Sequence, residues 1–256
     1  MVGVVLRLNH ILVLTLCILM VSVFYVGFST ASDKGRRYYE ESGQMLWDIN
    51  TDEKIVAITL DDGPHPRYTG QILDLLAKYR VKATFFVIGE NAEKHPELVL
   101  RTYKEGHELA NHTYTHKYNQ PINVLENELK KTNDIIHSIT GFYPVLFRPV
   151  GGQYTDKMID VATRNGYKVV IWSWHQDTLD WKEIKSQKII NKVVNGTSPG
   201  NVILFHDGGG NRTQTIKALK KIIPELQKQG YKFVTVSELI DINEDQNDDD
   251  ILKDFK

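Results

Sequence analysis

Short apolar runs alternate with amphipathic stretches along most of the chain. Seven runs rich in β-branched and aromatic residues predict strands, at Ile55–Leu60, Thr84–Ile88, Glu108–Ala110, Val145–Phe147, Lys168–Trp172, Val202–Phe205 and Lys232–Val236. Between them, apolar residues recur at helical spacing, for example over Thr69–Tyr79 and Val124–Ile139. This alternation favours βαβ crossovers and a parallel sheet. The pattern predicts an α/β fold, a distorted (β/α) barrel of about seven strands in a single domain over residues 54–240.

One residue conflicts with this pattern. Pro224 lies inside the helical pattern of Thr213–Gln229, although proline has no N–H for a helical hydrogen bond. We expect a kink or a helix start at this position.

The two ends of the chain differ from the alternating region. Residues 11–28 carry no charge and would span about 27 Å as a helix, close to the thickness of a bilayer core. Ser29-Thr30-Ala31 then offers a small-x-small cleavage sequence. We predict a signal peptide or N-terminal membrane anchor at 1–31, a spacer at 32–53 and an acidic tail at 241–256.

Composition excludes several classes of protein. The chain has 31 basic and 32 acidic residues, a net charge of −1 that argues against a nucleic-acid partner. The single cysteine, Cys17, lies in the apolar N-terminal segment, so the folded part has no disulfide or cysteine-based metal site. Any metal ion would need histidine and carboxylate ligands. No phosphate-binding Gly-Lys-Ser/Thr loop is present, which disfavours P-loop enzymes.

Side chains capable of chemistry cluster directly after the predicted strands. They are Asp61 and Asp62 after the first run, His112 and His116 after the third, Arg148 after the fourth, Asp177 and Asp180 after the fifth, and His206 after the sixth. In a parallel barrel these positions meet at one rim, where the loops that follow the strands form the active site. The sequence therefore predicts one site at this rim.

Two of these motifs suit a catalytic metal ion. Asp61 and Asp62 are adjacent at a strand end and point to opposite sides, so one can bind a metal while the other acts as a base. The spacing of His112 and His116 places both imidazoles on one side of a helical turn, where they can ligate one ion. Two histidines and one carboxylate leave coordination positions open for water and substrate.

The remaining motifs are compatible with more than one role. His206 could be a further metal ligand, a general acid or a packed core residue. The segment Asp177–Asp180 supplies a carboxylate that could raise the pKa of an imidazole, and Arg148 could pair with a carboxylate of the site. His107 and Asn111 flank the histidine pair, and we expect both to support it by hydrogen bonds.

Taken together, five motifs resemble the polysaccharide deacetylases of carbohydrate esterase family four, which include peptidoglycan N-acetylglucosamine, chitin and chitooligosaccharide deacetylases. The motifs are Thr-Leu-Asp-Asp-Gly-Pro at 59–64, His-Thr-Tyr-Thr-His at 112–116, Arg-Pro-Val-Gly-Gly at 148–152, Asp-Thr-Leu-Asp-Trp at 177–181 and Leu-Phe-His at 204–206. The resemblance extends over about residues 54–239 and implies a distorted β/α barrel.

The resemblance also implies a metal site and a base. Asp62, His112 and His116 would bind a divalent metal ion, zinc as the first choice and cobalt or another divalent ion as alternatives. Asp61 would be the general base that deprotonates the attacking water, held in place by Arg148.

Further residues would act on the leaving group and the acetyl group. His206 would be the general acid that protonates the leaving amine, with Asp180 tuning it. The backbone N–H of Gly151 would stabilise the oxyanion together with the metal. Trp181 and Leu204 would line the pocket for the acetyl methyl group.

One motif departs from the family pattern. Val150 and Gly151 stand where the family commonly has a second proline and an aromatic residue. A glycine still offers its N–H, but it removes one side-chain wall from the substrate groove. Chain-length preference is therefore open.

The expected function is that of a metal-dependent hydrolase that removes N-acetyl groups from N-acetylglucosamine in an extracellular polysaccharide, with peptidoglycan first and chitooligosaccharides second. The alternatives are a catalytically silent carbohydrate-binding protein on the same fold and a metal-dependent amidase of another substrate. We expect a monomer outside the cytoplasm, secreted or membrane-anchored in a bacterial cell envelope. A bacterial source is favoured because a glycan on the Asn111 sequon would obstruct the site.

Overall fold

A curled parallel sheet forms the centre of the protein in the computed structural model, which describes residues 34–243. Its strands are β1 (Met45–Leu46), β2 (Ile55–Asp61), β3 (Thr84–Val87), β4 (Glu108–Asn111), β5 (Leu146–Phe147), β6 (Lys168–Val170), β7 (Val202–His206) and β8 (Lys232–Val234). Their order is β1-β6-β5-β4-β3-β2-β7, and β8 also pairs with β2, at the end where β2 begins. The predicted α/β fold, a distorted (β/α) barrel, is confirmed: the sheet curls into a half-barrel, and all seven predicted strands are present.

Helices cover the outside of the sheet. They are α1 (Arg36–Glu41), α2 (Thr69–Tyr79), α3 (Gly89–Lys94), α4 (Pro96–Lys104), α5 (Ile122–Thr140), α6 (Asp156–Arg164), α7 (Ser186–Gly196) and α8 (Thr213–Lys228), and a last helical segment covers residues 236–243. The apolar spacing that predicts α2 corresponds to its buried face, which includes Ile72, Leu75 and Leu76. Burial of this face against the sheet, more than helix propensity, stabilises such a short helix.

The central strand explains why the core is continuous through the sheet. All seven residues of β2 are buried, as expected for a parallel strand covered on both faces. Ile58 and Leu60 belong to the cluster formed with α2, α7 and α8, whereas Ala57 packs with Phe86 and Val170 on the other side of the sheet. Alternate residues of β2 therefore face the outer helices and the inside of the half-barrel.

Pro224 does not start a helix, because α8 continues through it to Lys228. The carbonyl of Lys220 is the group that would accept the N–H that Pro224 lacks. This carbonyl accepts a hydrogen bond from the Tyr79 hydroxyl instead, at 3.2 Å. A side chain of α2 thus supplies the missing donor to α8.

Much of the segment predicted as a spacer is part of the folded domain. Within residues 32–53, α1 and β1 pack on the sheet, and Tyr39, Met45 and Trp47 are buried in one cluster. β1 pairs with β6, and the Tyr39 hydroxyl donates to Asp156 at 2.5 Å. The spacer prediction is therefore wrong for residues 36–49. The sequence pattern did not reveal them because the short apolar run Met45–Trp47 lies in a mostly polar segment.

We expect Trp47→Ala to lower the free energy of unfolding by about 3–5 kcal/mol, because Trp47 is only 1% exposed and its removal leaves a cavity. Denaturant unfolding measures this loss. Tyr38→Ala is the matched control, since Tyr38 is 46% exposed in the same segment and should change the free energy far less. Equal, small effects of the two substitutions would show that residues 36–49 contribute little to the stability of the domain.

The segments predicted at the two chain ends lie almost entirely outside the described residues. The signal or anchor segment at 1–31 and most of the acidic tail lie outside the described residues, and only residues 241–243 of the tail appear, as the end of the last helical segment. Within residues 34–243, no helix combines the length and the apolar character needed to cross a membrane.

Candidate active site

The ends of β2 and β7 place two chemical groups side by side. Asp61 is in register with His206, the last residue of β7. Residues in register on parallel strands point to the same side of a sheet, so both side chains face the inside of the half-barrel. Leu204, two residues earlier on β7, faces the same way and lines the same cavity. The predicted convergence at one rim is therefore present.

The turn after β2 directs Asp62 to a different place from Asp61. Asp62 has a φ of 72°, a left-handed conformation that aspartate tolerates better than most residues. The loop after β7 comes very close to it: a Cβ on Gly208 would lie 2.1 Å from the Asp62 carbonyl oxygen, and one on Gly209 would lie 2.3 Å from Oδ2. Glycines at both positions allow this approach, which holds the Asp62 carboxylate against the loop.

His112 and His116 converge through a loop and not through a helical turn. The segment after β4 is irregular, and Thr113 and His116 have positive φ values of 66° and 55°. Glu128 of α5 accepts hydrogen bonds from the backbone N–H groups of Tyr114 and Thr115 at 2.9 and 2.7 Å. The imidazole rings lie 4.9 Å apart. The predicted pairing of the histidines is present, but the predicted helical geometry is wrong.

Three side chains form a set that could hold one divalent metal ion. Asp62 Oδ1 lies 3.1 Å from His116 Nε2 and 3.5 Å from His112 Nε2, and ligand atoms of all three residues lie within 4.8 Å of one another. Two ligands on a tetrahedral zinc ion at the usual bond lengths are about 3.4 Å apart, so these separations fit a single ion.

Hydrogen bonds prepare these ligands for a cation. The carbonyl of Arg148 can only accept, so His112 Nδ1 donates to it at 2.8 Å, and Nε2 is the ring nitrogen that faces Asp62 and could bind a metal. Burial would raise the pKa of Asp62, but its interactions with His112 and His116 hold that pKa well below the ordinary value. The carboxylate is therefore ionised, as a metal ligand must be.

Arg148 is fully buried and fixes the position of Asp61. Its Nη1 donates to Asp61 Oδ1 at 2.7 Å and to Thr59 Oγ1 at 2.8 Å. Its Nε and Nη2 donate to the carbonyls of Val170 and Ile171 at 3.1 and 2.6 Å. Burial lowers the pKa of Arg148, and the charge of Asp61 opposes this effect. Because Arg148 occupies Oδ1, Asp61 keeps Oδ2 for other partners, 3.8 Å from His112 Nε2.

Asp180 holds His206 in one orientation. Its Oδ1 accepts from His206 Nδ1 at 2.7 Å, and its Oδ2 accepts from the His206 backbone N–H at 3.0 Å. The Thr215 hydroxyl donates to the same Oδ2 at 2.8 Å, and Arg212 donates to the Asp180 carbonyl at 2.9 Å. Asp180 is thus anchored from two sides, and Nε2 of His206 is the ring nitrogen that remains for chemistry.

The charges around His206 favour its protonated form. Burial lowers the pKa of His206, but the hydrogen bond and charge of Asp180, with the charges of Asp61 and Asp62, raise it to about 9. A cation bound at Asp62 would offset the contribution of that carboxylate. Burial likewise raises the pKa of Asp180, but the interaction with His206 lowers it overall. The pair is therefore an imidazolium beside a carboxylate near neutral pH.

The site opens into a cavity of about 410 Å³. Besides the two aspartates and three histidines described above, the cavity is lined by Tyr118, Gly151, Gln153, Trp172, Asp177, Trp181, Leu204, Gly209 and Arg212. Gly151, Trp181 and Leu204, to which the resemblance assigns substrate contacts, all line this cavity. Gly151 sits in a 3₁₀ turn at Val150–Gly152, and its N–H forms no hydrogen bond with another described residue. That N–H is free to bind an oxygen of a substrate.

Sequence reasoning did not single out Arg212 or Tyr118, which line this cavity, and it misplaced His107, which lies outside it. Arg212 and Tyr118 lie in the loops after β7 and β4, and their position after predicted strands was the available signal. His107 lies at the start of β4, where its Nδ1 accepts from the Ala83 N–H at 3.3 Å, so the prediction that it supports the histidine pair is wrong. Asn111 does support the pair, since its Oδ1 accepts from the Thr113 N–H at 2.9 Å.

A further buried carboxylate lies behind the site. Burial raises the pKa of Asp207 to about 7, and the charges of Asp62 and Asp61 add to this effect, while a hydrogen bond from Thr69 opposes it. The Thr69 hydroxyl donates to Oδ2 at 2.5 Å, and Oδ1 has no partner among the described residues. A Cβ on Gly63 would lie 2.1 Å from Oδ2, so Asp207 packs directly on the turn that carries Asp62.

Comparisons with known proteins identify the family and the fold. A family model described as polysaccharide deacetylase matches residues 48–170. The chain is 47% identical over 210 residues to a peptidoglycan-N-acetylglucosamine deacetylase of Bacillus cereus, covering 80% of this chain and 97% of the relative. It is 36% identical over 199 residues to a chitooligosaccharide deacetylase of Rhizobium leguminosarum bv. trifolii, covering 73% and 92%. The crystal structure of a peptidoglycan N-acetylglucosamine deacetylase in complex with 4-naphthalen-1-yl-N-oxidanyl-benzamide matches with a TM-score of 0.76 and 36% identity, covering 80% and 97%.

Proposed function

Because the chain belongs to the polysaccharide deacetylases of carbohydrate esterase family four, we propose that it removes N-acetyl groups from N-acetylglucosamine residues of peptidoglycan in a metal-dependent reaction. The observation that carries the proposal is the convergence of a candidate metal triad, Asp61 and His206 on one cavity. The similarity to a peptidoglycan deacetylase over 97% of its length supports the choice of polymer. Chitooligosaccharides are the second candidate substrate, supported by the similarity to a chitooligosaccharide deacetylase.

Asp62, His112 and His116 would hold the metal ion, with zinc as the first choice and cobalt or another divalent ion as alternatives. Histidine and carboxylate ligands suit zinc, and the separations of their ligand atoms fit its bond lengths. A bound divalent ion would polarise the acetyl carbonyl and lower the pKa of the attacking water toward about 7. The protein supplies everything else that the reaction requires.

Asp61 acts as the general base. Its Oδ2 takes a proton from the water that attacks the acetyl carbonyl, while Arg148 holds Oδ1 and keeps the carboxylate in one orientation. The free N–H of Gly151 donates to the oxygen that becomes negative during the attack. Trp181 and Leu204 contact the acetyl methyl group.

His206 acts as the general acid. Its protonated Nε2 donates to the amide nitrogen as the carbon–nitrogen bond breaks, so that the sugar leaves as a free amine and acetate is released. Asp180 stabilises the imidazolium that this step requires. His206 and Asp61 are in register on β7 and β2 and lie on the same face of the sheet, which supports these two roles.

We also propose that the protein acts outside the cytoplasm of a bacterium, secreted or anchored in the membrane by its N-terminal segment, as a monomer. The uncharged run at residues 11–28 supports export, and a peptidoglycan substrate requires it.

Acetate release tests the reaction. The full chain is incubated with peptidoglycan and, separately, with N-acetylated chitooligosaccharides, with a chelator and after addition of zinc or cobalt. We expect release that stops with chelator, returns with metal and is faster on peptidoglycan. Metal-loaded protein that releases no acetate from either polymer would contradict the proposal and favour a silent binding protein or an amidase of another substrate.

The pH dependence tests the acid. We expect Asp180→Asn to move the alkaline limb of the kcat/KM profile to lower pH by about one unit or more, because the charge of Asp180 raises the pKa of His206. Activity falls as pH rises through the pKa of an acid, so a lowered pKa brings the fall at lower pH. Asp134→Asn, on the exposed face of α5, is the control and should leave the limb in place. An unmoved limb in Asp180→Asn would show that another group is the acid.

A further inference from the structure

A second cavity, here called the side groove, adjoins the catalytic cavity. Its volume is about 770 Å³, within the range of ligand-binding pockets. The side groove runs between the loop after β4, the start of α5, the loop after β5 and the start of α6. It shares Tyr118 and Gln153 with the catalytic cavity, so a chain-like substrate in one can continue into the other.

Tyr118 forms the boundary between the two cavities. Its ring is seated on Gly151: a Cβ at that glycine would lie 2.8 Å from Tyr118 Cε1 and 3.0 Å from its hydroxyl oxygen. The ring also meets the His116 ring edge-to-face, with centroids 6.2 Å apart. Tyr118 is nevertheless 55% exposed. The glycine therefore makes room for an aromatic ring that contributes a wall to both cavities.

The side groove combines an apolar floor with unpaired positive charge. Ile122, Leu125, Phe147 and Met158 provide apolar surface, and Lys117 and Lys157 are the charged residues of the lining. Both lysines are exposed, and neither forms an ion pair with a described residue. No acidic residue lines the groove. A ligand with an apolar body and carboxylate groups matches this surface.

We propose that the side groove binds the sugar next to the reacting N-acetylglucosamine in peptidoglycan, together with its lactyl group and stem peptide. This inference rests on the proposed function and names the part of the polymer that the protein recognises. Tyr118 packs on the sugar, and Lys117 and Lys157 pair with the carboxylates of the peptide. Chitooligosaccharides carry no such carboxylates, so the two lysines select between the two candidate substrates.

The test removes both charges and keeps a polar, unbranched side chain at each position. In the full chain, Lys117→Gln/Lys157→Gln should lower kcat/KM on soluble peptidoglycan fragments about five- to tenfold, the combined effect expected of two exposed ion pairs. Activity on N-acetylated chitooligosaccharides should stay within about twofold of the parent protein. Added salt should lower the parent's activity on peptidoglycan fragments more than that of the variant.

Matched variants separate the binding role of the two groove lysines from the effect of losing positive charge anywhere on the surface. Lys217→Gln/Lys221→Gln removes two exposed lysines of α8 and should leave kcat/KM on both substrates unchanged. Tyr118→Ala should raise KM for both substrates more than it lowers kcat, whereas Tyr118→Phe should keep most of the affinity because the ring remains.

Binding measured without turnover separates the proposed role of the side groove from the proposed deacetylation reaction. Affinity for peptidoglycan fragments is measured in an Asp61→Asn background, with and without the two lysine substitutions. Equal affinities, or an equal loss for peptidoglycan fragments and chitooligosaccharides, would overturn the role of the side groove even if acetate release is normal. A weaker affinity for peptidoglycan fragments alone supports the groove, even if no acetate is released and the proposed reaction fails.

Discussion

The Asp61→Asn variant is expected to lose about 10²- to 10⁴-fold in kcat, the usual contribution of a general base, while it keeps its metal ion. An amide cannot take the proton of the attacking water. Its oxygen can still accept the hydrogen bond that Arg148 Nη1 donates to Asp61 Oδ1 at 2.7 Å, so the buried arginine keeps this hydrogen bond although it loses the opposite charge. The three candidate metal ligands are untouched. Loss of turnover with unchanged metal content would thus identify the base and not a structural residue.

Acetate release gives kcat for this variant, elemental analysis gives its metal content, and thermal unfolding checks the fold. Asp74→Asn is the control, because this exposed aspartate of α2 pairs with Arg101 far from the cavity. It should match the parent protein in all three measurements. An Asp61→Asn variant with near-parental kcat would assign the base role to another residue.

His112→Ala is expected to lose both metal and turnover. Removal of one of three protein ligands weakens metal binding by more than the 10- to 100-fold typical of indirect ligand contacts, and activity should fall at least about 100-fold. The substitution also removes the hydrogen bond from His112 Nδ1 to the Arg148 carbonyl. Because His112 helps to lower the pKa of Asp62, that pKa should rise in the metal-free variant.

Metal titration followed by elemental analysis and acetate release distinguishes weak binding from lost chemistry. If His112 is a ligand, a large excess of zinc or cobalt should restore part of the metal content and part of the activity together. His95→Ala, a substitution at the junction of α3 and α4, should bind metal and turn over like the parent protein. Stoichiometric metal at parental affinity in His112→Ala would remove His112 from the site.

Local pattern alone determined the architecture and the location of the site. The seven apolar runs correspond to β2–β8, because parallel strands covered on both faces leave apolar runs in the sequence. The alternation with helices requires parallel crossovers, and parallel strands bring the residues at their ends to one rim. This is why the sequence alone groups Asp61, His112, Arg148 and His206 at one site.

Tertiary packing decided the features that depend on contacts between segments far apart in sequence. Residues 36–49 join the core through pairing with β6, which no local period reveals. The segment between His112 and His116 is irregular because Glu128 of α5 binds its backbone N–H groups, and this contact overrides the helical spacing.

The wall between the catalytic cavity and the side groove also depends on contacts between segments far apart in sequence. The sequence shows a glycine at position 151 where an aromatic wall was expected, but not that Tyr118 fills the space. Residue spacing reports which face of a strand or helix a side chain occupies, whereas the neighbour it meets depends on how two loops from different strands pack together. The sequence by itself therefore determined the fold and the chemical groups of this protein, and only the tertiary structure decided the shape of the cavity that receives a substrate.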